Sequence, residues 1–371
     1  MHRLPLLLTA FVLALTACSD DGGTSDPAGP DDDAVVPRGT RVLALDVKEG
    51  DGYDYMTALG DALDLGVQDV KQSFDWDLLA EGLEPGGTNW VDITSTVFTQ
   101  VDCDVTLVLR PIDTVRHTYP DGIAADPLDG EAAVEAFATL LDAVHASLAG
   151  LRAQGKVGAI LIGNEIDGYL GSDAARWQQF GNFLAAARTH LESLDWGART
   201  PTIGAVIMAG GARDATIRAL YVQHVLPHCD QATINYYALG AGFQMLEPAQ
   251  VRTDLVELAG LFPDHTLRLQ ECGMSSGADC GSSEVQQAEF VTAVFEAWDD
   301  LADRITQIDF AWQTDVSDAQ ASQWVSDYGM SGSPDADAFY AYLRTLGLRR
   351  HDGTPKPAWD RLVTEAAARG W

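Results

Sequence analysis

The chain is poor in basic residues and lacks the patterns that usually hold a metal or a nucleotide. Lysine and arginine number 23 against 55 aspartates and glutamates, so the 371 residues carry a formal net charge of -32. This charge argues against nucleic acids and anionic surfaces as partners, and it suits an exported protein with a neutral or cationic ligand. No C-x-x-C or His-rich metal spacing occurs, and the end of the first predicted strand, Ala44-Leu45-Asp46-Val47-Lys48, lacks a Gly-rich nucleotide loop. We therefore expect neither a metal nor an organic cofactor.

The N-terminus carries an apolar stretch that is short for a membrane span. His2 and Arg3 precede the run 4–15, which leads into Leu-Thr-Ala-Cys ending at Cys18. The length suits a signal peptide. The last four residues resemble a bacterial lipobox, which implies cleavage after residue 17 and acylation of Cys18. An ordinary secretory signal with an incidental cysteine is the alternative. The resemblance implies a lipid-anchored protein of the bacterial cell envelope, on its periplasmic or cell-surface face.

The next segment, 18–39, consists mainly of Asp, Gly, Pro and Ser and includes three consecutive aspartates. It has too few apolar side chains to bury, so we predict a flexible acidic linker. The remainder, 40–371, shows no internal repeat and has an ordinary length for one barrel domain. We expect it to be a monomer.

Short apolar or alternating runs recur along this domain, separated by amphipathic helical patterns. The predicted strands are 42–47, 69–76, 105–112, 159–165, 202–208, 232–238, 266–271 and 306–313. The predicted helices include 131–154, 173–194, 214–226, 248–261, 284–303, 335–347 and 357–369, and Ser172 or Asp173 can cap the second. Alternating strands and helices imply parallel strands with right-handed crossovers. A count of eight favours a closed (β/α)8 barrel over an open doubly wound sheet.

Two glutamates stand at the C-terminal tips of predicted strands. Glu165 closes the fourth strand after Gly163-Asn164, and Glu271 closes the seventh. A (β/α)8 barrel places its reactive groups at these tips. Glycosidases need such a pair, because one acid protonates the leaving oxygen while a second carboxylate attacks or stabilises the sugar carbon. A lone glutamate at a strand tip is usually just solvated, so the matched positions carry this hypothesis.

This arrangement resembles clan A of the retaining glycoside hydrolases, which have an Asn-Glu pair on strand four and a glutamate on strand seven. The resemblance implies that Glu165 is the acid/base, Glu271 the nucleophile and Asn164 the partner of the sugar 2-hydroxyl. It also implies a strand-six tyrosine that bonds the nucleophile, here Tyr236 in preference to Tyr237, and Trp312 on strand eight as a platform under the sugar. The paired tyrosines are weakly similar to the β-1,4-galactanase family. The segment 352–359 resembles the closing segment of many clan members.

The sequence also departs from the clan pattern. Lys71 stands where many members have a strand-two arginine, and lysine supplies a point charge in place of a planar fork. Arg110, at the end of strand three, is a possible substitute. No His-x-Tyr occurs on strand six. Trp76 is a second candidate sugar platform, although a tryptophan there can also pack the barrel top.

Four cysteines remain after Cys18. Cys272 with Cys280 is the expected disulfide in an exported chain, beside Glu271, and Cys103 with Cys229 is possible. Two other functional classes stay open. The first is a carbohydrate-binding or adhesion lipoprotein with a degenerate, inactive barrel, which the missing arginine favours. The second is a metal-dependent hydrolase barrel, which would need a His-x-His on strand one that is absent.

Overall fold

The computed structural model describes residues 35–84 and 86–371, so the predicted signal peptide, Cys18 and most of the predicted linker lie outside the described residues. From Val35 to Trp371 the chain forms one compact unit. Its strands are β1 Val42–Leu45, β2 Asp69–Asp75, β3 Asp104–Asp113, β4 Arg116–His117, β5 Val157–Asn164, β6 Thr202–Gly204, β7 Val206–Met208, β8 Ala232–Tyr237, β9 Leu267–Gly273 and β10 Ile305–Phe310.

The strands form one parallel sheet that curls into a barrel. The order is β6-β5-β3-β2-β1-β10-β9-β8-β7, and the short β4 pairs antiparallel with β3. Only Ala205 separates β6 from β7, of which the first pairs with β5 and the second with β8. The two are halves of one interrupted strand, so the ring has eight strand positions. The predicted (β/α)8 barrel is confirmed, and every predicted strand has a counterpart.

Helices surround this barrel. They are α1 Tyr55–Asp64, α2 Trp76–Leu83, α3 Trp90–Phe98, α4 Glu131–Ser147, α5 Ala149–Gln154, α6 Asp167–Leu170, α7 Ala174–Ser193, α8 Ala209–Arg213, α9 Ala215–His224, α10 Val251–Leu261, α11 Glu284–Asp300, α12 Asp318–Asp327, α13 Ala336–Arg344 and α14 Pro357–Arg369. The predicted helix 131–154 is divided at Leu148. Among the described residues, no helix has the length and apolarity needed to cross a membrane.

Local sequence explains why these elements form. Strand β5 reads Val-Gly-Ala-Ile-Leu-Ile-Gly-Asn and is buried at every position, as expected for a parallel strand covered on both faces. Asp173 caps α7, since its side chain accepts hydrogen bonds from the backbone N–H groups of Ala175 and Arg176. The capping prediction is therefore confirmed for Asp173.

A bulge in β9 aims the strand tip. In the pairing with β8, Ile234 faces Leu269 whereas Asn235 faces Glu271, so Gln270 is an extra residue on β9. Bulges of this kind redirect a side chain next to a functional site. Here the extra residue brings Glu271 level with Asn235 at the carboxyl end of the barrel.

The segment after β10 forms a cap on the same end of the barrel. Helices α12 and α13 pack together around a small apolar cluster, separate from the main core, that includes Val316, Ala321, Tyr342 and Leu346. Trp312 and Tyr237 pack against this cluster from the barrel side. The cap therefore forms one wall of the space above the strand tips.

Candidate active site

A cleft of about 600 Å³ lies at the carboxyl ends of the strands, between the barrel and the cap. Glu165 and Glu271 both line it, together with Lys71 and Asn164. This is the end at which (β/α)8 enzymes place their active sites. In the described parts of the chain, no group of three or more histidines, cysteines, aspartates or glutamates is arranged to hold a metal.

Glu271 is held by three donors. Lys71 Nζ lies 2.7 Å from Oε1, Tyr237 donates its hydroxyl to Oε2 at 2.6 Å, and Asn235 Nδ2 donates to Oε2 at 3.1 Å. Lys71 also pairs with Asp46 at 3.1 Å, and its side chain is only 3 % exposed. Burial alone would lower the pKa of Lys71, but the charges of Asp46 and Glu271 raise it above its ordinary value. A buried cation therefore lies directly against Glu271.

Glu165 has a different environment, made of neutral donors. Thr114 donates its hydroxyl to Oε2 at 2.8 Å, and Asn235 Nδ2 donates to Oε1 at 3.1 Å. Burial raises the pKa of Glu165 and the charge of Glu271 raises it further, to about 8, although the hydrogen bonds from Asn235 and Thr114 act in the opposite direction. At neutral pH the protonated form of Glu165 is favoured.

The same amide bounds the distance between the two carboxylates. Oε1 of Glu165 and Oε2 of Glu271 each lie 3.1 Å from Asn235 Nδ2, so these oxygens are at most twice that distance apart. In inverting glycosidases the carboxyl groups are roughly 6.5–9.5 Å apart, since a water must fit between them. Retaining enzymes have carboxyl groups about 5–5.5 Å apart, and a donor shared by two facing oxygens favours that shorter spacing.

The backbone around Glu165 is unusual and accounts for the glycine before it. Gly163 has a φ of +83°, and a Cβ there would lie 2.6 Å from Ile166 Cγ2. Glu165 itself has a φ of 47°, in the left-handed region that non-glycine residues rarely adopt. Such conformations concentrate at functional sites, where the surrounding structure enforces them.

Asn164 lies beside Glu165 with both ends of its amide engaged. Its Nδ2 donates to Asp113 Oδ1 at 3.1 Å, and its Oδ1 accepts from Asn235 Nδ2 at 3.1 Å. Its second N–H is available to a ligand, and it lines the cleft. The structure thus brings Asn164 to the place where the sequence prediction requires it.

The tyrosine prediction was wrong by one residue. Tyr236 is fully buried on the outer face of β8 and donates its hydroxyl to Asp254 at 2.9 Å, whereas Tyr237 bonds Glu271. Successive strand residues face opposite sides, so Thr233, Asn235 and Tyr237 share the inner face. The polar Thr233 and Asn235 were the sequence signal that pointed to Tyr237.

The two tryptophan predictions have different outcomes. Trp312 lines the cleft, and its ring centroid lies 5.2 Å from that of Trp324. Lys48 Nζ lies 5.0 Å from the centroid of the Trp312 ring. Trp76 is 1 % exposed and packs against Tyr119 and the core behind β2, so it is no sugar platform. As the first residue of α2, it points away from the strand tips into the helix layer.

Arg110 lies in the cleft but does not support Glu271. It pairs with Asp75 at 2.7 Å and with Asp113 at 3.6 Å, and Arg116 bonds the same two aspartates. The prediction that Arg110 replaces the strand-two arginine beside the nucleophile is therefore wrong, since Lys71 occupies that place. The four charges form a closed network at the tips of β2 and β3.

The predicted disulfide is absent, because the four described cysteines are all free and buried. Cys272 faces the main core on the opposite side of β9 from Glu271, while Cys280 belongs to the apolar cluster of the cap, where its thiol donates to Ala338 O at 3.7 Å. The possible pairing of Cys103 with Cys229 does not form either. The two cysteines were paired in the prediction because they are close in sequence. In the structure Cys272 lies in the main core and Cys280 in the cap, so their side chains belong to different layers.

Sequence reasoning did not identify three residues of the site. They are Asn235, which contacts both glutamates, Thr114, which bonds Glu165, and Tyr328, which reaches Asp113 Oδ2 at 3.4 Å from the cap. Thr114 and Tyr328 lie in loops, and no periodicity could have placed them. Asn235 had the signal of strand alternation.

The sequence matches no protein-family model and no curated protein. The structure, in contrast, is similar to solved glycoside hydrolases. GH5_18 from Bifidobacterium longum subsp. infantis superposes with a TM-score of 0.63 at 15% identity, covering 88% of this chain and 78% of that one. A glutamate-to-alanine variant of GH5_18 from Streptomyces cattleya, in complex with Manb1-4GlcNAc, gives a TM-score of 0.61 at 17% identity, with 89% of this chain and 81% of that one covered.

A third similar structure is the exo-beta-1,4-mannosidase Op5Man5 from Opitutaceae bacterium strain TAV5. Its TM-score is 0.59 at 13% identity, covering 89% of this chain and 59% of that one. At these identities the likeness establishes a shared fold. The predicted resemblance to clan A barrels is thus confirmed for the fold, while the similarity to β-1,4-galactanases stays a prediction.

Proposed function

We propose that this protein is a retaining glycoside hydrolase with Glu165 as acid/base and Glu271 as nucleophile. The observation that carries the proposal is the opposite electrostatic environment of two carboxylates that share one hydrogen-bond donor. Glu271 has a buried cation at 2.7 Å, while burial and the neighbouring charge raise the pKa of Glu165 to about 8. Pairs of carboxylates with pKa values pushed apart are typical of glycosidase acid and nucleophile assignments.

The chemistry follows from this asymmetry. Ionised Glu271 attacks the anomeric carbon while Glu165 transfers its proton to the departing glycosidic oxygen, giving a glycosyl-enzyme. Glu165, now ionised, takes a proton from water, which attacks the anomeric carbon and releases Glu271. One amide that reaches an oxygen of each carboxylate supports the short spacing that double displacement needs, whereas inversion needs room for a water between the carboxylates.

The alternative function is a carbohydrate-binding lipoprotein without turnover, which the missing strand-two arginine suggested. In the structure Lys71 contacts Glu271 directly and is itself fixed by Asp46. A positive charge is therefore present where the arginine was expected, and this observation favours the enzyme.

The cap supports action on the end of a short chain. Tyr328, just after α12, reaches across the mouth of the barrel to Asp113 at the tip of β3, and Trp324 lies against Trp312. These contacts enclose one side of the cleft, where a polymer would have to continue. We infer release of a terminal sugar. Since related folds are an exo-beta-1,4-mannosidase and a GH5_18 bound to Manb1-4GlcNAc, a β-mannoside is the first substrate to test.

The test is hydrolysis of aryl β-glycosides, Manb1-4GlcNAc, β-1,4-mannan and β-1,4-galactan, with products resolved by anion-exchange chromatography. We expect a monosaccharide from a β-mannoside and no oligosaccharide ladder from the polymers. A ladder would contradict terminal action. Glycan binding with no hydrolysis of any substrate would instead establish the binding-protein alternative.

We also propose that Cys18 anchors the protein to a bacterial membrane, facing away from the cytoplasm. The lipobox-like Leu-Thr-Ala-Cys and the acidic segment after it motivate this. Cys18→Ala should move the protein from the membrane to the soluble fraction or block its processing. Unchanged fractionation would contradict the anchor and would leave the glycosidase proposal untouched.

A further inference from the structure

One amide nitrogen connects all three polar groups at the centre of the site. Asn235 Nδ2 lies 3.1 Å from Asn164 Oδ1, from Glu165 Oε1 and from Glu271 Oε2. All three partners are acceptors, so the nitrogen of the Asn235 amide, and not its oxygen, must face them. The amide has two hydrogens for three acceptors, so two of the three contacts share one hydrogen. The side chain is 2 % exposed, which makes it a fixed part of the site.

This contact makes the two oxygens of Glu165 unequal. Oε1 faces an amide nitrogen, which can only donate, whereas Oε2 faces the hydroxyl of Thr114, which can donate or accept. A proton on Oε1 would point at the hydrogens of Asn235. A proton on Oε2 can be accepted by Thr114 Oγ1 once that hydroxyl rotates.

The preferred oxygen also has the right position for proton transfer. Thr114 lines the cleft, so Oε2 of Glu165 lies on the side from which a substrate would approach. Asn235 is buried and holds the other oxygen. When the proton leaves Oε2 for the glycosidic oxygen, the Thr114 hydroxyl changes from acceptor to donor. When water later returns a proton to Oε2, the Thr114 hydroxyl becomes an acceptor again.

We propose that Asn235 and Thr114 are positioning residues that fix the transferable proton on Oε2 of Glu165, and that Asn235 holds both carboxylates through one amide. This inference rests on the proposed glycosidase function. It goes beyond that function in assigning which oxygen carries the proton and which uncharged residues decide it.

The proposal has a signature that a purely structural role would not give. The bond from the Asn235 amide lowers the pKa of Glu165, since it is stronger to the ionised carboxylate. Its removal therefore raises the pKa of Glu165. In the bell-shaped dependence of kcat/KM on pH, the alkaline limb, which reports the acid, should move to higher pH.

The first experiment compares Asn235→Ala with Tyr236→Phe, the neighbour that faces away from the cleft and contacts Asp254. We expect the alkaline limb of the Asn235→Ala profile to move up by roughly one pH unit or more, with a lower maximum. The Tyr236→Phe profile should keep the wild-type limbs. Folded Asn235→Ala with an unmoved alkaline limb would overturn the proposal. If that variant fails to fold by circular dichroism, Asn235→Ser, too short to reach both carboxylates, replaces it.

The second experiment uses a matched pair at position 114. Thr114→Val keeps the shape and removes the hydroxyl, while Thr114→Ser keeps the hydroxyl. Thr114→Val should slow glycosides with poor leaving groups at least roughly tenfold more than activated aryl glycosides, because only the former need the proton. Thr114→Ser should stay close to wild type. Equal losses on both substrate classes would contradict the assignment to Oε2.

A third measurement separates this proposal from the proposed function. Carbon-13 NMR of glutamate-labelled protein follows the titration of Glu165, assigned by its loss in Glu165→Gln, without any turnover. A rise of the Glu165 pKa in Asn235→Ala supports the proposal even if no glycoside is cleaved. An unchanged pKa overturns it even if the wild type is an active glycosidase.

Discussion

The two glutamates at the barrel mouth occupy contrasting regions of the same cleft. On the side of β2 and β9, Glu271 lies against Lys71 and accepts from the hydroxyl of Tyr237. On the side of β3 and β5, Glu165 is surrounded by uncharged donors, Thr114 and Asn235. The two identical side chains thus have different surroundings. A charged neighbour interacts more strongly with a buried carboxylate than a neutral donor does.

The difference also explains why lysine can stand for the arginine expected on strand two. What Glu271 requires is a positive charge close to one oxygen, and Lys71 supplies it at 2.7 Å. Asp46 and burial keep the ammonium fixed. The planar fork that distinguishes arginine is not needed, since Tyr237 and Asn235 occupy the second oxygen.

The largest expected loss of activity comes from removing Glu271, the glutamate with the charged neighbour. Glu271→Ala should reduce hydrolysis to background, because the proposed glycosyl-enzyme forms on this carboxylate. Added azide should restore turnover and give a glycosyl azide of the opposite anomeric configuration, identified by NMR. For the wild type, NMR should show an unchanged anomer in the first product. Full activity of Glu271→Ala on a substrate that the wild type cleaves would place the nucleophile elsewhere.

Removing the neutral side should have a smaller and more selective effect. Glu165→Ala should lose roughly 10²–10⁴-fold on natural glycosides, since proton transfer supplies about that factor. Aryl glycosides with good leaving groups should lose far less in the first step. In the wild type, kcat/KM should fall as the pH rises through about 8, where Glu165 loses its proton. An equal loss on both substrate classes would argue against Glu165 as the acid.

A still smaller effect should distinguish the two tyrosines of β8. Tyr237→Phe removes the 2.6 Å bond to Glu271, and losing a hydrogen bond to a charged group costs about 1.5–3 kcal/mol, or roughly 10- to 100-fold in kcat. Tyr236→Phe removes a bond to Asp254 on the outer face and should lower Tm with little change in kcat. The reverse result would show that the strand faces the other way in solution.

These residues also show how far the sequence could lead. The sequence prediction grouped Glu165, Glu271, Asn164, Lys71 and Trp312 in one site, and all five line the same cleft, while their roles stay predictions. Glu165, Glu271 and Asn164 could be placed because they stand at the carboxyl ends of predicted strands, which meet at one mouth. The positions of strands and their ends follow from a local pattern of apolar residues, which can be read from the sequence alone.

The errors came from properties that are not local. Tyr236 was preferred over Tyr237 although alternation with Asn235 favoured the latter, and the bulge at Gln270 that aligns Glu271 is visible only in the pairing of β8 with β9. Trp76 and the cysteines were misassigned because their neighbours, such as Tyr119 or the cap, are distant in sequence. Side-chain layer and register, unlike strand position, depend on partners elsewhere in the chain.

The smallest expected effect is a change in stability caused by Glu165, the glutamate with uncharged neighbours. The pKa of Glu165 rises from 4.5 to about 8 on folding. Between these values the unfolded chain releases a proton that the folded protein keeps, so this carboxyl makes the protein less stable as the pH rises through that interval, with no further change above it. Glu165→Gln removes the titration and should raise Tm by a few degrees at pH 8 but hardly at pH 4.5. Glu289→Gln, a substitution at an exposed glutamate, is the matched control and should follow the wild type. Calorimetry at both pH values tests this prediction. If Tm of Glu165→Gln changes with pH as much as Tm of the wild type does, the folded protein does not hold this proton. The two carboxylates would then differ less than their surroundings indicate.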